Sequence, residues 1–170
     1  MVVRNPIERF TSDFVHLCYK SIRRHQIKFC LGYRGNFKCF VNKLYNILTS
    51  EYNLSIDAYH PTKVHFYPQT MQCSYFKNID KFVVLKFDQK KLDTFNKSSE
   101  YIFIQQNVPP EKVEYINKEI RTHRISHSTT GKAKTNKFIG KLFKEKDVIK
   151  RLIDIYYNDF KEFNFQIPNI

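Results

Sequence analysis

The N-terminal segment NPIERFTSDFVHLC leaves the chain little choice of local conformation. Asn5 is a favourable N-cap, and Pro6 suits the first helical position because its missing N–H would have no helical partner there. Apolar residues then recur at helical spacing, at Ile7, Phe10, Phe14, Leu17 and Cys18. The segment therefore predicts an amphipathic helix from about Ile7 to Ile22.

Short segments of alternating type follow this helix. Period and β-propensity predict further helices at Phe37–Glu51, Pro109–Ile120 and Asp147–Phe163, and strands at Ile27–Leu31, Leu54–Ala58, Val64–Tyr67, Phe82–Phe87, Tyr101–Ile104 and Thr122–His127. Gly32–Asn36 is predicted as a turn, Thr70–Asp80 as an irregular connection and Lys90–Ser99 as a polar loop. The predicted fold class is α+β: an α-β-α-β-β module at 1–72, a β-rich RNA-binding module at 73–137, and a helical extension at 138–170.

The charge of the chain points to an anionic partner. Lys and Arg number 29 against 16 Asp and Glu, which gives a net charge of +13. Such an excess favours nucleic acid first and an anionic membrane surface second. No apolar run approaches the roughly 18 residues of a membrane span, and no signal peptide precedes the first helix. We therefore expect no membrane partner, and a protein of the cytosol or one made inside an organelle.

The cysteines predict neither a metal site nor a redox motif. Cys18, Cys30, Cys39 and Cys73 form no C-x-x-C pair, and no histidines follow at zinc-ligand spacing. We expect reduced and mostly buried thiols, no metal and no cofactor.

Thr122–Lys137, THRISHSTTGKAKTNK, combines hydroxyls, a glycine and lysines without an acidic residue. Such a segment can lie against phosphates and sugar hydroxyls, which favours an RNA-binding surface. Motifs for catalysis are missing, including G-x-S-x-G, H-E-x-x-H and the Walker loop. We therefore expect no enzyme. Two alternatives stay open: a small basic RNase or toxin using His123 and His127, and a viral or plasmid nucleic-acid-binding protein.

The order of several motifs resembles the family of the eighth protein of the small ribosomal subunit, in its bacterial or organellar form. Asn5–Phe10 looks like the family's Asp-Pro-Ile-x-x-Met start, and Ile47–Leu54 looks like the end of its second helix. Leu85–Phe87 looks like its Leu-Lys-Tyr strand, and Asn96–Phe103 looks like its Ser-Lys-Pro-Gly segment. Val108–Val113 looks like its Glu-Leu-Pro-x-Val helix start, and Ser128–Gly131 looks like its Ser-Thr-Ser-Lys-Gly loop. The resemblance implies a structural rRNA-binding protein that supports assembly and translation, with rRNA and neighbouring ribosomal proteins as partners and no small-molecule substrate.

The same resemblance, with an AT-rich residue bias, implies a mitochondrial and organelle-encoded protein, or otherwise a cytoplasmic one. It places Ser128–Gly131 on a minor groove or bulged base, with Lys132 and Lys134 on phosphates. The extension Phe138–Ile170 would meet a neighbouring protein or extra rRNA. The predicted RNA-binding residues are Arg23, Arg24, Arg34, Lys97, Arg124, His127, Ser128, Thr129, Thr130, Gly131, Lys132, Lys134 and Thr135.

Overall fold

The computed structural model describes residues 1–19, 30–33, 35–50, 61–122 and 133–170. Helices predominate in these ranges, around one small parallel sheet. The strands are β1 (Val2–Val3) and β2 (Leu85–Lys86). The helices are α1 (Pro6–Asp13), α2 (Phe37–Thr49), α3 (Pro61–Phe66), α4 (Leu92–Gln105), α5 (Pro110–Thr122), α6 (Ala133–Leu142), α7 (Lys146–Ile155) and α8 (Tyr157–Glu162). 3-10 turns lie within Gln69–Lys77, where non-helical backbone at Gln72–Ser74 separates two of them, and at Ile79–Lys81 and Gln89–Lys91.

Helix α1 begins where the sequence predicts. Asn5 is the N-cap, and its Oδ1 accepts hydrogen bonds from the backbone N–H groups of Ile7 at 3.0 Å and Glu8 at 3.2 Å. These contacts satisfy N–H groups that the first turn leaves without helical partners. After Asp13 the helix widens into a π-helical stretch, Phe14–Tyr19. The predicted end at Ile22 lies outside the described residues.

The two strands are parallel, with Val2 opposite Leu85 and Val3 opposite Lys86. The backbone N–H of Leu85 donates to the Met1 carbonyl at 2.8 Å, and that of Phe87 donates to the Val3 carbonyl at 2.7 Å. The strand predicted at Phe82–Phe87 is confirmed at Leu85–Lys86 only. Because the strands run in the same direction, the segment that follows β1 and the segment that follows β2 leave the sheet at the same end.

The core is built on aromatic rings from helices distant in sequence. Phe10 of α1 and Phe14 of the π-helical stretch contact Phe40 of α2, with ring centroids 6.1 and 5.3 Å away. Phe66 of α3 lies 4.6 Å from Phe40, and Phe138 of α6 lies 5.3 Å from Phe14. Each ring pair adds to the stability gained from burial alone. Residues of α7 and α8 complete the same core, among them Val148, Ile149, Leu152, Tyr156 and Phe160.

Two strand predictions and one loop prediction are wrong. Val64–Phe66, predicted as part of a strand, belongs to α3, and its Phe66 is fully buried against Phe10 and Phe40. The predicted loop Lys90–Ser99 and strand Tyr101–Ile104 form most of α4. The buried residues of α4 are Asn96 and Ser99, three residues apart and so on one side of a helix, whereas Tyr101 and Ile104 are exposed.

The other helix predictions are close to the observed bounds. α2 and α5 are confirmed, and the predicted final helix is present as α7 and α8, which meet at Tyr156. Gly32 and Gly35 have φ values of +82° and +75°, which confirms the predicted turn. The strands predicted at 27–31, 54–58 and 122–127 lie almost wholly outside the described residues. The α+β class and the three predicted domains stay predictions.

The prediction of reduced thiols is wrong for two cysteines. Cys18 and Cys30 form a disulfide, with their Cα atoms 5.5 Å apart, a separation typical of such bridges. Cys39 and Cys73 are free thiols, the first half-buried and the second exposed. Sequence spacing could not predict the pairing, because it depends on how the chain returns from Cys18 to the Gly32 turn.

Candidate functional site

The carboxyl ends of β1 and β2 lie side by side, which is where open parallel sheets hold their ligands. Arg4 follows β1, and Phe87 follows β2. The Arg4 guanidinium carbon lies 5.5 Å from the centre of the Phe87 ring, so a cation stacks on an aromatic face at this edge. The site therefore starts from one positively charged group with a defined position.

The guanidinium of Arg4 has hydrogen-bonding capacity to spare. Its Nε is buried, and no acceptor among the described residues lies within hydrogen-bonding range. Its Nη2 is 4.0 Å from Glu8 Oε2, which is an ion pair longer than a hydrogen bond. A buried N–H without an acceptor is unfavourable by about 1–3 kcal/mol. The Nε itself is closed to solvent, but the Arg4 side chain as a whole is 27% exposed, so part of it is open to an anionic ligand.

The N-terminus of α1 adds positive potential to the same position. Arg4 lies two residues before Pro6, where the partial positive charge of the helix is concentrated. The side chain of Asn5 already accepts from Ile7 and Glu8, so the helix contributes its dipole more than free N–H groups. The electrostatics of this edge therefore favour a negatively charged group.

Residues 64–70 hold α1 and the Arg4 backbone in place. Arg9 donates from Nη1 to the Tyr67 carbonyl at 2.8 Å and from Nη2 to the Val64 carbonyl at 3.1 Å. The Gln69 side chain hydrogen-bonds both backbone groups of Arg4, at 2.9 Å each. Arg9 thus joins α1 to the end of α3, and Gln69 joins that connection to β1.

A pair of titratable side chains lies further along α1. His65 Nδ1 is 4.0 Å from Asp13 Oδ2. Burial raises the pKa of Asp13 from 3.8 to about 6, although the positive charges of Arg9 and Arg4 oppose the shift. Burial, helped by Arg9 and His16, lowers the pKa of His65. At neutral pH the pair is therefore mostly a carboxylate beside a neutral imidazole, both able to accept a proton.

Most residues predicted to contact RNA lie outside the described residues, namely Arg23, Arg24, Arg34, Arg124, His127, Ser128, Thr129, Thr130, Gly131 and Lys132. Lys134 belongs to α6. Thr135 is only 5% exposed, a position that does not suit contact with a polymer. Lys97 is exposed on α4 and lines a groove of about 490 Å³ beside β2. The structure brings Lys97 and Thr135 into no common site.

Two further kinds of feature are missing from the described part of the chain. No helix there is both long and apolar enough to cross a membrane. No group of His, Cys, Asp or Glu side chains within the same ranges has the arrangement of a metal site.

Comparison with known proteins shows the family of this chain. A family model described as "Sulfotransferase family" matches residues 1–166, nearly the whole chain. This chain belongs to the sulfotransferase family. Among its relatives in Caenorhabditis elegans, "Putative sulfotransferase vep-2" is 27% identical over 132 residues, covering 77% of this chain and 41% of that protein. "Carbohydrate sulfotransferase chst-1" is 25% identical over 171 aligned positions, covering 97% of this chain and 51% of that protein.

The sulfotransferase relatives are longer proteins, and this chain spans about half of their length. No solved structure matches the chain. The family assignment rests on the sequence model and the curated relatives together.

The family assignment overturns the ribosomal interpretation. A sulfotransferase-family chain is not a member of the ribosomal family, so the predicted rRNA-binding role, the ribosomal partners and the absence of a small-molecule substrate are all wrong. The expectation of a non-enzymatic protein is wrong for the same reason, because the family points to an enzyme. The mitochondrial or cytoplasmic localisation stays a prediction, and its ribosomal argument is gone.

The sequence interpretation placed the site at Thr122–Lys137, most of which lies outside the described residues, so that site stays a prediction. It used Asn5–Phe10 for its helix-start pattern, placed Arg9 on the polar side of the first helix, and did not single out Arg4. The combination of a short apolar strand, an arginine and a Pro-started helix was the available signal, since such a junction gathers positive charge. The roles of Gln69 and Phe87 had no such signal, because both depend on contacts across the fold.

Proposed function

We propose that this chain carries the donor-binding part of a sulfate-transferring enzyme, and that Arg4 binds an anionic group of the sulfate donor. One observation carries the proposal: Arg4 presents a buried Nε without an acceptor among the described residues, at the carboxyl end of a parallel strand pair. The family assignment supports the proposed reaction class, and the geometry of this edge supports the proposed position.

The chemistry of the reaction fits a cationic edge. An activated sulfate donor is a mixed anhydride of phosphate and sulfate, and every part of that linkage is negatively charged. During transfer, the S–O bond to the donor phosphate breaks, an S–O bond to the acceptor hydroxyl forms, and the hydroxyl loses its proton. Binding of the donor therefore needs fixed positive charge, and an arginine offers two parallel N–H donors to such oxyanions.

The acceptor class is proposed from a relative alone. The relative chst-1 is named a carbohydrate sulfotransferase, and its alignment with this chain covers 97% of the chain. We therefore propose a carbohydrate hydroxyl as the group that receives sulfate. No side chain is assigned here to the removal of the hydroxyl proton.

A transfer assay tests the function. The protein would be incubated with a phosphosulfate donor whose sulfate is radioactive and with neutral and acidic oligosaccharides, and the label on the sugar would be counted. We expect transfer to at least one sugar, and at least a tenfold weaker affinity for the donor in Arg4→Gln. Absence of transfer to any sugar would contradict the proposed acceptor, and donor binding equal in Arg4→Gln and the unaltered protein would contradict the site.

Arg151 provides the matched control. Its guanidinium stacks on Tyr45 with a separation of 5.4 Å, close to the 5.5 Å of Arg4 on Phe87, but it belongs to α7. Arg151→Gln removes the same charge and a similar ring contact away from the strand ends. We expect the affinity for the donor to be unchanged in Arg151→Gln. A loss of affinity in Arg4→Gln alone would then depend on the position of Arg4 and not on the loss of one positive charge.

A further inference from the structure

The backbone N–H and carbonyl of Arg4 have their partners on the edge of the strand away from β2. Alternate residues of a strand direct their backbone groups to opposite edges. The Val3 carbonyl bonds to Phe87 at the end of β2, so the backbone groups of Arg4 face the other side. There the Gln69 side chain meets them: Oε1 accepts from the Arg4 N–H, and Nε2 donates to the Arg4 carbonyl, both at 2.9 Å. One side-chain amide thus replaces the peptide group of a neighbouring strand.

Gln69 is held in turn by a buried carboxylate on α8. Asp159 is 0% exposed, and its Oδ2 accepts from the Gln69 backbone N–H at 2.7 Å and from Gln69 Nε2 at 3.3 Å. Its Oδ1 accepts from the backbone N–H and the hydroxyl of Thr70, both at 2.8 Å. A carboxylate this buried is stable only with such a full set of donors. The contacts fix both the backbone and the side-chain rotamer of Gln69.

We infer that Gln69 is a positioning residue for the donor site, oriented by Asp159, an inference that rests on the proposed function. Both amide atoms of Gln69 are already bonded to Arg4 and Asp159, so Gln69 acts through the Arg4 backbone, from which the guanidinium extends over Phe87. A long side chain needs a fixed starting point to present its N–H groups at a ligand oxygen, and errors of about 1 Å in such a site are costly to binding. Without Gln69, the charge of Arg4 remains but its direction is lost.

Gln69→Met tests this inference, because methionine keeps the length and volume and removes both hydrogen bonds to Arg4. We expect the donor KM, and the Kd for inorganic pyrophosphate as a simple anion probe, to rise by about tenfold, the equivalent of one lost hydrogen bond to a charged group. The kcat should change by less than the KM does. Gln69→Asn is the second variant: it keeps an amide for Asp159 and is one methylene too short for Arg4, so it should show the same KM effect if Gln69→Met fails to fold.

Two controls separate positioning from stability. Thr70→Val removes one contact to the same carboxylate and leaves the Gln69 side chain in place, so it should lower the melting temperature without changing the donor KM. Gln166→Met changes an exposed glutamine and should change neither quantity. A folded Gln69→Met or Gln69→Asn with the donor KM of the unaltered protein would overturn the inference.

The failure of this inference can be told from the failure of the proposed function. If Arg4→Gln weakens donor and pyrophosphate binding and the Gln69 variants do not, the donor site stands and the positioning role is wrong. If Arg4→Gln binds both anions as the unaltered protein does, the proposed donor site itself is wrong. A KM effect in Gln69→Met that Thr70→Val reproduces would assign the effect to general loosening of the 68–70 segment and would also overturn the inference.

Discussion

The side-chain amide of Gln69 forms two hydrogen bonds of 2.9 Å with the backbone of Arg4, which lies 65 residues earlier in the chain. Asp159, 90 residues beyond Gln69, accepts a hydrogen bond from its backbone N–H. The candidate donor site therefore depends on three separate parts of the sequence. A mutation in any of the three parts should therefore lower the stability of the fold around Arg4, the affinity for the donor, or both.

Asp159→Ala should lower the free energy of unfolding by about 3–5 kcal/mol. The change leaves the N–H groups of Gln69 and Thr70 and the Thr70 hydroxyl buried without their acceptor, and buried donors without partners are strongly unfavourable. Urea unfolding would measure the loss. Asp154→Ala, an exposed position on α7, is the control and should stay within about 0.5 kcal/mol. Equal effects at the two positions would contradict the structural role of Asp159.

Arg4→Lys should weaken donor binding nearly as much as Arg4→Gln does. Lysine keeps the charge, but has no Nε at the buried position and no pair of parallel N–H donors. We expect a loss of about tenfold in affinity, measured by calorimetric titration with the phosphosulfate donor or with pyrophosphate. An affinity in Arg4→Lys equal to that of the unaltered protein would show that charge alone acts at this position.

Arg9→Met should lower the free energy of unfolding by about 1–3 kcal/mol. The methionine keeps much of the apolar stem, while the carbonyls of Tyr67 and Val64 lose two charged donors. The comparison is Arg121→Met, since Arg121 contacts Asp93 at 3.5 Å with both side chains exposed. Exposed ion pairs contribute little, so this change should stay within about 0.5 kcal/mol. Thermal and urea unfolding of both variants would reveal the difference.

The stability of the protein should fall as the pH rises from about 4 to about 6, in part because of Asp13. Burial raises its pKa from 3.8 to about 6, so the folded state binds the proton more tightly than the unfolded state does. The contribution is complete below pH 4 and lost above pH 6. Allowing for the 26% exposure of the side chain, its size is on the order of 2 kcal/mol. Urea unfolding across this range should show a shallower fall for Asp13→Asn; an identical fall would contradict the shift.

Reduction of the disulfide between Cys18 and Cys30 should destabilise the protein. The disulfide between Cys18 and Cys30 closes a loop with a sequence separation of 12, which is worth about 3 kcal/mol in the chain-entropy estimate. Without reductant, alkylation and mass spectrometry should label Cys73 and Cys39 and leave the other pair unlabelled, with exposed Cys73 reacting first. Cys18→Ser should match the stability of the reduced protein. Labelling of Cys18 in the folded, unreduced protein would contradict the bridge.

The sequence predicted the elements whose signals are local. The Asn5 cap, the Pro6 start, the α2 period and the Gly32 turn each depend on a few neighbouring residues, and all four are observed. Val64–Tyr67 and Tyr101–Ile104 were predicted as strands from β-branched and aromatic content. The first prediction failed because Phe66 packs into a core built from distant helices. In the second, Tyr101 and Ile104 are exposed on α4, which packs beside α5, so β-propensity alone did not decide the conformation.

The candidate site could not be predicted from the sequence, for a related reason. Its arginine was visible as a charge, but the features that select Arg4 among the 29 Lys and Arg residues are contacts with Phe87 and Gln69. The ribosomal resemblance failed because each of its motifs was a short pattern of helix starts, turns and apolar strands, which unrelated folds share. The order of such patterns carries less information than a family model matched over residues 1–166.

The small cluster that seats β1 has a consequence for biosynthesis. Val3 packs with Tyr75 and Phe163, and its strand pairs with Leu85–Lys86. A polypeptide leaves the ribosome from its N-terminus, so Val3 emerges first and Phe163 emerges more than a hundred residues later. The segment that carries Arg4 therefore has no strand partner until Leu85–Lys86 is translated, and Val3 cannot complete its cluster until Phe163 is translated. Until then the nascent strand is exposed and can bind chaperones.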